Sequence, residues 1–208
     1  MKKGLFITFE GIDGAGKSTQ INMLRDYLEK KGISVVITRE PGGTDIGNKI
    51  RTILLDKENT ALSATAELLL YYADRAQHIN ECIVPALESG KYVICDRYYD
   101  SSYAYQRAGR GIDISVLDKL NSIVVKDAKP DITFLLDISL ASSESRITSR
   151  GEARDRLEAE GNTFKQNVRE GFLEQARLCP DRIRTINAMQ SPDKIFEDIL
   201  HELNDIKL

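Results

Sequence analysis

The sequence predicts an α/β domain built on an open, doubly wound parallel sheet, and three observations lead to it. Five short runs, 4–10, 33–38, 92–96, 132–137 and 182–187, carry continuous Val, Ile, Leu and Phe rather than alternating apolar and polar residues. That is the pattern of strands covered by helices on both faces. Helix-period stretches separate each run from the next, and alternating β and α elements wind a parallel sheet with helices on both sides. Finally, the first run leads directly through a glycine-rich loop into a helical pattern. The 208 residues show no internal repeat, low-complexity tract or linker, so a single domain over 1–208 is expected.

The helices follow in order. Residues 17–31 repeat Ile21, Leu24 and Leu28 on one face and stop at Gly32. Residues 44–56 start with Thr44 as the N-cap. The long stretch 61–90 opens with the capping signal Ser63-x-x-Ala66-Glu67 and closes at Gly90, with a bend expected near Pro85. Residues 113–127, 139–149, 156–178 and 192–206 complete the set. In such sheets ligands sit beyond the carboxyl ends of the strands. That rule gathers Asp13, Glu40, Asp96 and the segment after Asp137 around one cleft.

Composition narrows the function classes. With 29 basic and 32 acidic residues the net charge is −3, so no global field draws the chain to nucleic acid or to a membrane surface. Any cationic function must be local. No apolar run approaches the eighteen or so residues a membrane helix needs. Met1-Lys2-Lys3 enters the first strand too soon for a signal peptide. Cys82, Cys95 and Cys179 lie far apart without a C-x-x-C pair, which favours buried thiols in a reducing compartment over disulfides or zinc. A cytoplasmic location is the expectation.

The chemistry begins at Gly11-Ile12-Asp13-Gly14-Ala15-Gly16-Lys17-Ser18-Thr19. Its spacing, G-x-x-x-x-G-K-[ST] between a strand and a helix, is that of a phosphate-binding loop. Glycines let the backbone wrap closely, so successive N–H groups point at an anion beside the positive end of the following helix. Lys17 then reaches the β- and γ-phosphates of a nucleoside triphosphate, and the Ser18 hydroxyl is placed to ligate Mg²⁺. A bare glycine-rich turn is the bland alternative, and the flanking strand and helix argue against it.

Four further stretches stand out. Glu40-Pro41-Gly42-Gly43-Thr44 ends the second strand beside the phosphate loop; it is either a turn or the wall of an acceptor pocket. Arg51, two turns into the next helix, either reaches back to an anion or lies on a solvated face. Tyr71 and Arg75 are four apart and share a helix face; they can pack into the core, or stack a base and hydrogen-bond its edge. His78 has no metal-ligand spacing around it and reads as a structural or surface histidine. Asp96 leaves the third strand where it can orient Mg²⁺, and Arg97 offers a bidentate fork to a phosphate, with a strand-capping ion pair as the alternative. Lastly, 146–158 packs Arg146, Arg150, Arg154 and Arg156 into eleven residues around Gly151. It is either a solvated charge run or a mobile lid over a triphosphate, and phosphoryl transfer needs such cations.

Taken together, Phe9-Glu10-Gly11 through Gln20, Glu40 to Thr44, Leu69 to Arg75, Asp96-Arg97-Tyr98, Ser101-Ser102-x-Ala104-Tyr105-Gln106 and Asp155-Arg156-Leu157-Glu158 resemble thymidylate kinases over nearly the whole chain. The resemblance implies a three-layer P-loop kinase fold with a five-stranded parallel sheet. It also implies transfer of the γ-phosphoryl group of ATP to dTMP in dTDP biosynthesis, with Mg²⁺ as cofactor and a homodimer packed through helices near 61–90 and 100–125. Under it Asp13 contacts the deoxyribose 3′-hydroxyl, Tyr71 stacks on thymine, and Arg75 bonds the base at O4. Ser102 and Gln106 hold the base edge, Tyr105 crowds the 2′ position, and Arg97 with Arg51 grips the acceptor phosphate. Because Gly14 stands where one form of the family has arginine in the loop, the catalytic arginine is expected in the lid, at Arg150 or Arg154.

The sequence departs from the family pattern at Arg107, at Gly171-Phe172 and in having Tyr rather than Phe at 71. Another nucleoside-monophosphate kinase and a silent nucleotide-binding regulator are the competing readings. A small GTPase is disfavoured by the lack of an N-K-x-D motif.

Overall fold

The computed structural model describes residues 4–151 and 154–204, the side chain of Arg150 excepted. Five parallel strands form one sheet in the order β2-β3-β1-β4-β5. They are β1 (Phe6–Glu10), β2 (Val35–Arg39), β3 (Tyr92–Asp96), β4 (Ile132–Asp137) and β5 (Ile183–Asn187). The expected strands are all present, with β1, β2 and β5 each starting one or two residues later than the apolar runs suggest. The phosphate-loop strand β1 is central and fully buried, whereas β2 is a half-covered edge. Phe9 stands in register with Asp96 of β3 and with Phe134 of β4, so the chemically active strand ends converge at one rim.

Helices α1 (Lys17–Lys30), α2 (Asp45–Leu55), α3 (Ala64–His78), α4 (Val84–Glu88), α5 (Tyr99–Ser102), α6 (Ile114–Val124), α7 (Leu140–Arg150), α8 (Asn162–Leu178) and α9 (Pro192–Asn204) surround the sheet. Thr44 caps α2 by accepting from Gly47 N–H at 2.9 Å, and Ser63 caps α3 by accepting from Ala66 N–H. One buried cluster joins Ile7, Phe9 and Phe134 to Leu24 and Leu28 of α1, Phe172 of α8 and Ile199 of α9. A second joins Phe6, Val93 and Tyr98 to Ile79, Ile83 and Leu87.

One helix expectation is corrected and two helical stretches gain detail. The bend expected near Pro85 takes the form of a π-helical turn: the winding runs without a break from α3 into α4, and the π-helical Ile79–Ile83, closed by Val84 N–H on the Ile79 carbonyl, contains the residue four before Pro85, where the proline ring disturbs an ordinary turn. The helix expected over 156–178 starts only at Asn162. Before it, the Asp155 carboxylate accepts from the N–H groups of Leu157 and Glu158, both at 2.9 Å, a local turn that competes with helix. Finally, Tyr99–Ser102 is helical and continues as a π-helix over Tyr103–Gly109. Its crowd of Tyr and Ser gives little helix signal, and packing against α8 imposes the conformation instead. Among the described residues no helix is long and apolar enough to cross a membrane.

Candidate active site

At the carboxyl rim of the sheet lies a cleft of about 690 Å³. Its floor is the phosphate loop. Gly11 has φ 130°, and a Cβ there would meet the Leu136 carbonyl oxygen at 2.4 Å, so only glycine lets the loop cross β4 this closely. Ile12 and Ala15 are buried beneath the loop, while Asp13, Gly14, Gly16, Lys17, Ser18 and Thr19 line the cleft. The Lys17 ammonium donates to the Gly11 and Ile12 carbonyls at 3.1 and 3.4 Å. Burial, and then the Arg97 charge, push its pKa below the usual lysine value.

Arg97 crosses the cleft to the same loop. Its Nη1 donates to the Gly11 carbonyl at 3.0 Å and its Nη2 to Asp13 Oδ1 at 2.7 Å, with the guanidinium 5.1 Å over the Tyr105 ring. Tyr105 in turn donates to Asp13 Oδ2 at 3.3 Å. Burial raises the Asp13 carboxyl, but Arg97 and Lys17 outweigh it and hold the pKa at about 2. Arg97 is one of two described non-glycine residues with positive φ, at 69°, a strained conformation that surrounding structure must hold. Glu10 does so: its Oε1 accepts from Tyr98 N–H at 2.7 Å and its Oε2 from the Ser101 hydroxyl at 2.6 Å. Burial, then the neighbouring Asp100 carboxylate, raises the Glu10 pKa to about 8.

On the acceptor side Arg75 is buried and held from three directions. Nε donates to Glu40 Oε2 at 2.8 Å, Nη1 to the Ser102 hydroxyl at 3.1 Å and Nη2 to the Tyr98 carbonyl at 3.3 Å. The other Glu40 oxygen meets His78 Nδ1 at 3.0 Å, and His78 Nε2 lies 2.6 Å from the Thr38 hydroxyl. His78 is therefore structural, as one of its two expected roles had it. Burial lowers its pKa, yet bonds to Cys82 and Glu40 raise it to about 9. Asp74, whose Oδ1 accepts from Gly42 N–H at 3.0 Å, is raised to about 7 by burial and by the Glu40 charge. Tyr71 and Gln106 are buried at the cleft wall. Arg51, half-buried, donates to the Pro41 carbonyl at 2.9 Å and lines the cleft.

Ser18 and Asp96 line the cleft together, and Asp96 Oδ1 is buried without a hydrogen-bond partner. A buried carboxylate oxygen left open at a cleft that a serine hydroxyl also lines offers hard-oxygen donors, suited to Mg²⁺ shared with substrate phosphates. Among the described residues no cluster of three or more His, Cys, Asp or Glu could hold a metal alone.

The arginine-rich segment divides. Arg146 reaches the cleft, donating to the carbonyls of Gly14 at 3.3 Å and Ala188 at 2.9 Å. Arg154 is paired with Glu144 at 2.6 Å and does not line the cleft, and the Arg150 side chain lies outside the described residues. Arg156 turns inward to Glu67 at 2.7 Å and to the Leu54 carbonyl at 2.8 Å.

Arg146, Glu10 and Glu67 escaped the sequence reading as individual site residues. For Glu67 a signal existed, since it lies four residues before Tyr71 and eight before Arg75 on the same helix face. The unusual positions also find partners. Arg107 forms an ion pair with Glu174, and Gly171 admits Ala104 and Ala108 so closely that a Cβ would lie 2.7 Å from that of Ala108.

Comparison with known proteins bears on this site. The family model described as thymidylate kinase matches residues 9–199. A thymidylate kinase of Halothermothrix orenii is 49% identical over 203 residues, covering 97% of each chain. That of Ruthia magnifica is 45% identical over 199 residues, covering 96% of this chain and 97% of its own. The crystal structure of thymidylate kinase from Ehrlichia chaffeensis superposes with a TM-score of 0.79 at 36% identity, covering 97% of this chain and 99% of that one.

Proposed function

The chain belongs to the thymidylate kinase family, which phosphorylates dTMP to dTDP with ATP, and we propose how its residues perform that transfer. The observation that carries the reading is the shared Gly11 carbonyl, on which Lys17 and Arg97 meet at 3.1 and 3.0 Å. A donor-side and an acceptor-side cation thus face one point in the cleft. A phosphate acceptor is already ionised at neutral pH, so the chain has no proton to remove. Its task is to hold two anions in line against their repulsion.

In this reading the loop from Gly11 to Thr19 cradles the ATP phosphates on its N–H groups, and Lys17 neutralises developing charge on the transferred phosphoryl. Arg97, with Arg51, grips the acceptor phosphate. Asp13, ionised beside Arg97, accepts the deoxyribose 3′-hydroxyl, and Tyr105 closes the space at the 2′ carbon. Tyr71 stacks on the base, while Arg75, anchored by Glu40, directs N–H groups at O4 of thymine. Cytosine presents an amino donor there, which a donor-only guanidinium repels. Ser102 and Gln106 hold the base edge. Ser18 and Asp96 would hold Mg²⁺, which supplies charge neutralisation across the phosphates. Arg150 or Arg154 supplies the lid cation.

A cytoplasmic homodimer completes the reading. The exposed Leu69 of α3 and Ile123 of α6 give two neighbouring helices an apolar outer face, which supports pairing. The free thiols Cys82, Cys95 and Cys179 suit a reducing compartment.

A coupled ADP-release assay with dTMP, dUMP, dCMP, dGMP, AMP, UMP and thymidine tests the assignment. Turnover strongest on dTMP, weaker on dUMP and negligible on dCMP and thymidine is expected. Preference for another monophosphate would overturn the base-pocket assignment.

A further inference from the structure

We propose that Glu67 is a positioning residue that locks the Gln106 amide with its carbonyl oxygen turned to the acceptor base, and thereby adds a second selection for thymine over cytosine. The proposal rests on the reading of this cleft as the dTMP site.

Glu67 is a carboxylate buried in α3. Arg156 Nη1 lies 2.7 Å and Arg110 Nη2 3.2 Å from its Oε2, and Arg110 Nε donates to its Oε1 at 3.3 Å. Two guanidiniums from separate segments therefore keep it ionised, and an ionised carboxylate only accepts. Burial alone would raise its pKa, but the Arg110 and Gln106 hydrogen bonds carry it below the usual value.

The remaining partner is Gln106, whose Nε2 donates to Glu67 Oε1 at 3.0 Å. The two ends of a glutamine amide look alike and are normally told apart only by their surroundings. Here the surroundings leave no choice. Turning the amide over would set its carbonyl against a carboxylate inside the protein, so the atom left for a ligand is Oε1, an acceptor.

Ser102 is held as well. Its oxygen accepts from Arg75 at 3.1 Å, and its hydroxyl bonds Tyr72, whose own proton goes to Asn121 at 2.9 Å. The edge offered to a pyrimidine is therefore N–H donors from Arg75 with one acceptor from Gln106. Thymine carries a donor at N3, flanked by acceptors at O4 and O2. Cytosine carries a lone pair at N3 and a donor at position 4. Arg75 thus tests position 4, while the locked Gln106 carbonyl tests N3, and cytosine fails both. Two independent rejections are how a site excludes an isostere that fills the same volume.

The test compares dissociation constants for dTMP and dCMP in the full chain. Glu67→Gln provides a neutral partner that both donates and accepts, so the lock opens. Gln106→Met keeps the volume and removes the acceptor without touching the ion pairs. Each is expected to cut the dTMP-over-dCMP preference by about tenfold or more, and the double variant should lose no more than the larger single loss. Arg110→Gln, which leaves Glu67 ionised beside Arg156, is expected to keep the preference. A preference within about twofold of wild type in Gln106→Met overturns the proposal, and that variant decides the matter if Glu67→Gln fails to fold. A loss in Arg110→Gln equal to that in Glu67→Gln also overturns it, since a general loosening would explain both. Wild-type protein that does not bind dTMP removes the underlying reading itself.

Discussion

Replacing Gly171 with alanine adds one methyl group at the tightest helix contact behind the acceptor wall. The new Cβ would lie 2.7 Å from the Ala108 Cβ and 2.9 Å from the Ala104 Cα. Neither neighbour can rotate away, so α8 and the π-helical stretch must part. Overpacking of this kind costs about 1–3 kcal/mol, and alanine's helix propensity returns roughly 1 kcal/mol. The net expectation is a destabilisation of up to about 2 kcal/mol, or up to roughly 8 °C in Tm for a chain of this size. Because Phe172 sits at 6.1 Å from the Tyr105 ring, the separation also reaches the cleft, and KM for dTMP should rise more than kcat falls. Thermal unfolding and steady-state kinetics read both effects. Ala108→Gly in the same chain removes the nearest atom and should restore part of the KM. A higher Tm in Gly171→Ala would refute the reasoning, since it would show only the propensity gain of a helix with room to spare.

Arg97→Met should lower kcat by roughly 10²–10³-fold and leave ATP affinity nearly intact, measured by steady-state kinetics and nucleotide titration; a kcat within tenfold of wild type would remove Arg97 from the phosphate clamp. Replacing Arg150 and Arg154 together with alanine should lower kcat far more than dTMP affinity, and an unchanged kcat would sink the lid assignment. Asp96→Asn should raise the Mg²⁺ concentration needed for half-maximal rate, read by titrating the metal at saturating ATP. Stability should fall as pH rises from about 6 to 9. His78, held at about 9 in the fold, contributes fully below its unfolded value near 6.5 and loses that contribution as pH rises through 9, on the order of 3 kcal/mol. The raised carboxyls of Asp74 at about 7 and Glu10 at about 8 act in the same direction. Urea unfolding across this range should show the slope, and His78→Asn should flatten its upper part.

The parts legible in the sequence were those with local causes. Continuous apolar runs gave five strands because burial on both faces leaves no room for polar residues, and Thr44 and Ser63 marked helix starts because a cap acts within three residues. The phosphate loop was legible for the same reason. What escaped depends on pairs far apart in the chain. Glu67 meets Arg110 and Arg156, which lie 43 and 89 residues on. Its spacing with Tyr71 and Arg75 puts it on their helix face, but nothing near it names the two arginines that hold it. Arg146 stood in a charged run that reads equally as a solvated face, and only the carbonyls of Gly14 and Ala188 single it out. The resemblance implied a helix near 100–125, but the π-helical winding of Tyr103–Gly109 had no local signal, because its cause is the packing against α8.

The π-helical stretch Tyr103–Gly109 makes the cleft depend on counting as well as on chemistry. Arg110 N–H reaches back five residues to the Tyr105 carbonyl at 2.9 Å, one more than an ordinary helical turn spans, and each residue of a helix swings its successors by about 100°. Deleting a single residue here would restore ordinary winding and carry Arg110 and its neighbours to a different side of the helix from Tyr105 and Gln106. Every side chain could keep its identity while the wall lost its phase. A scan of substitutions would not detect that sensitivity, whereas a scan of one-residue deletions would find it at once.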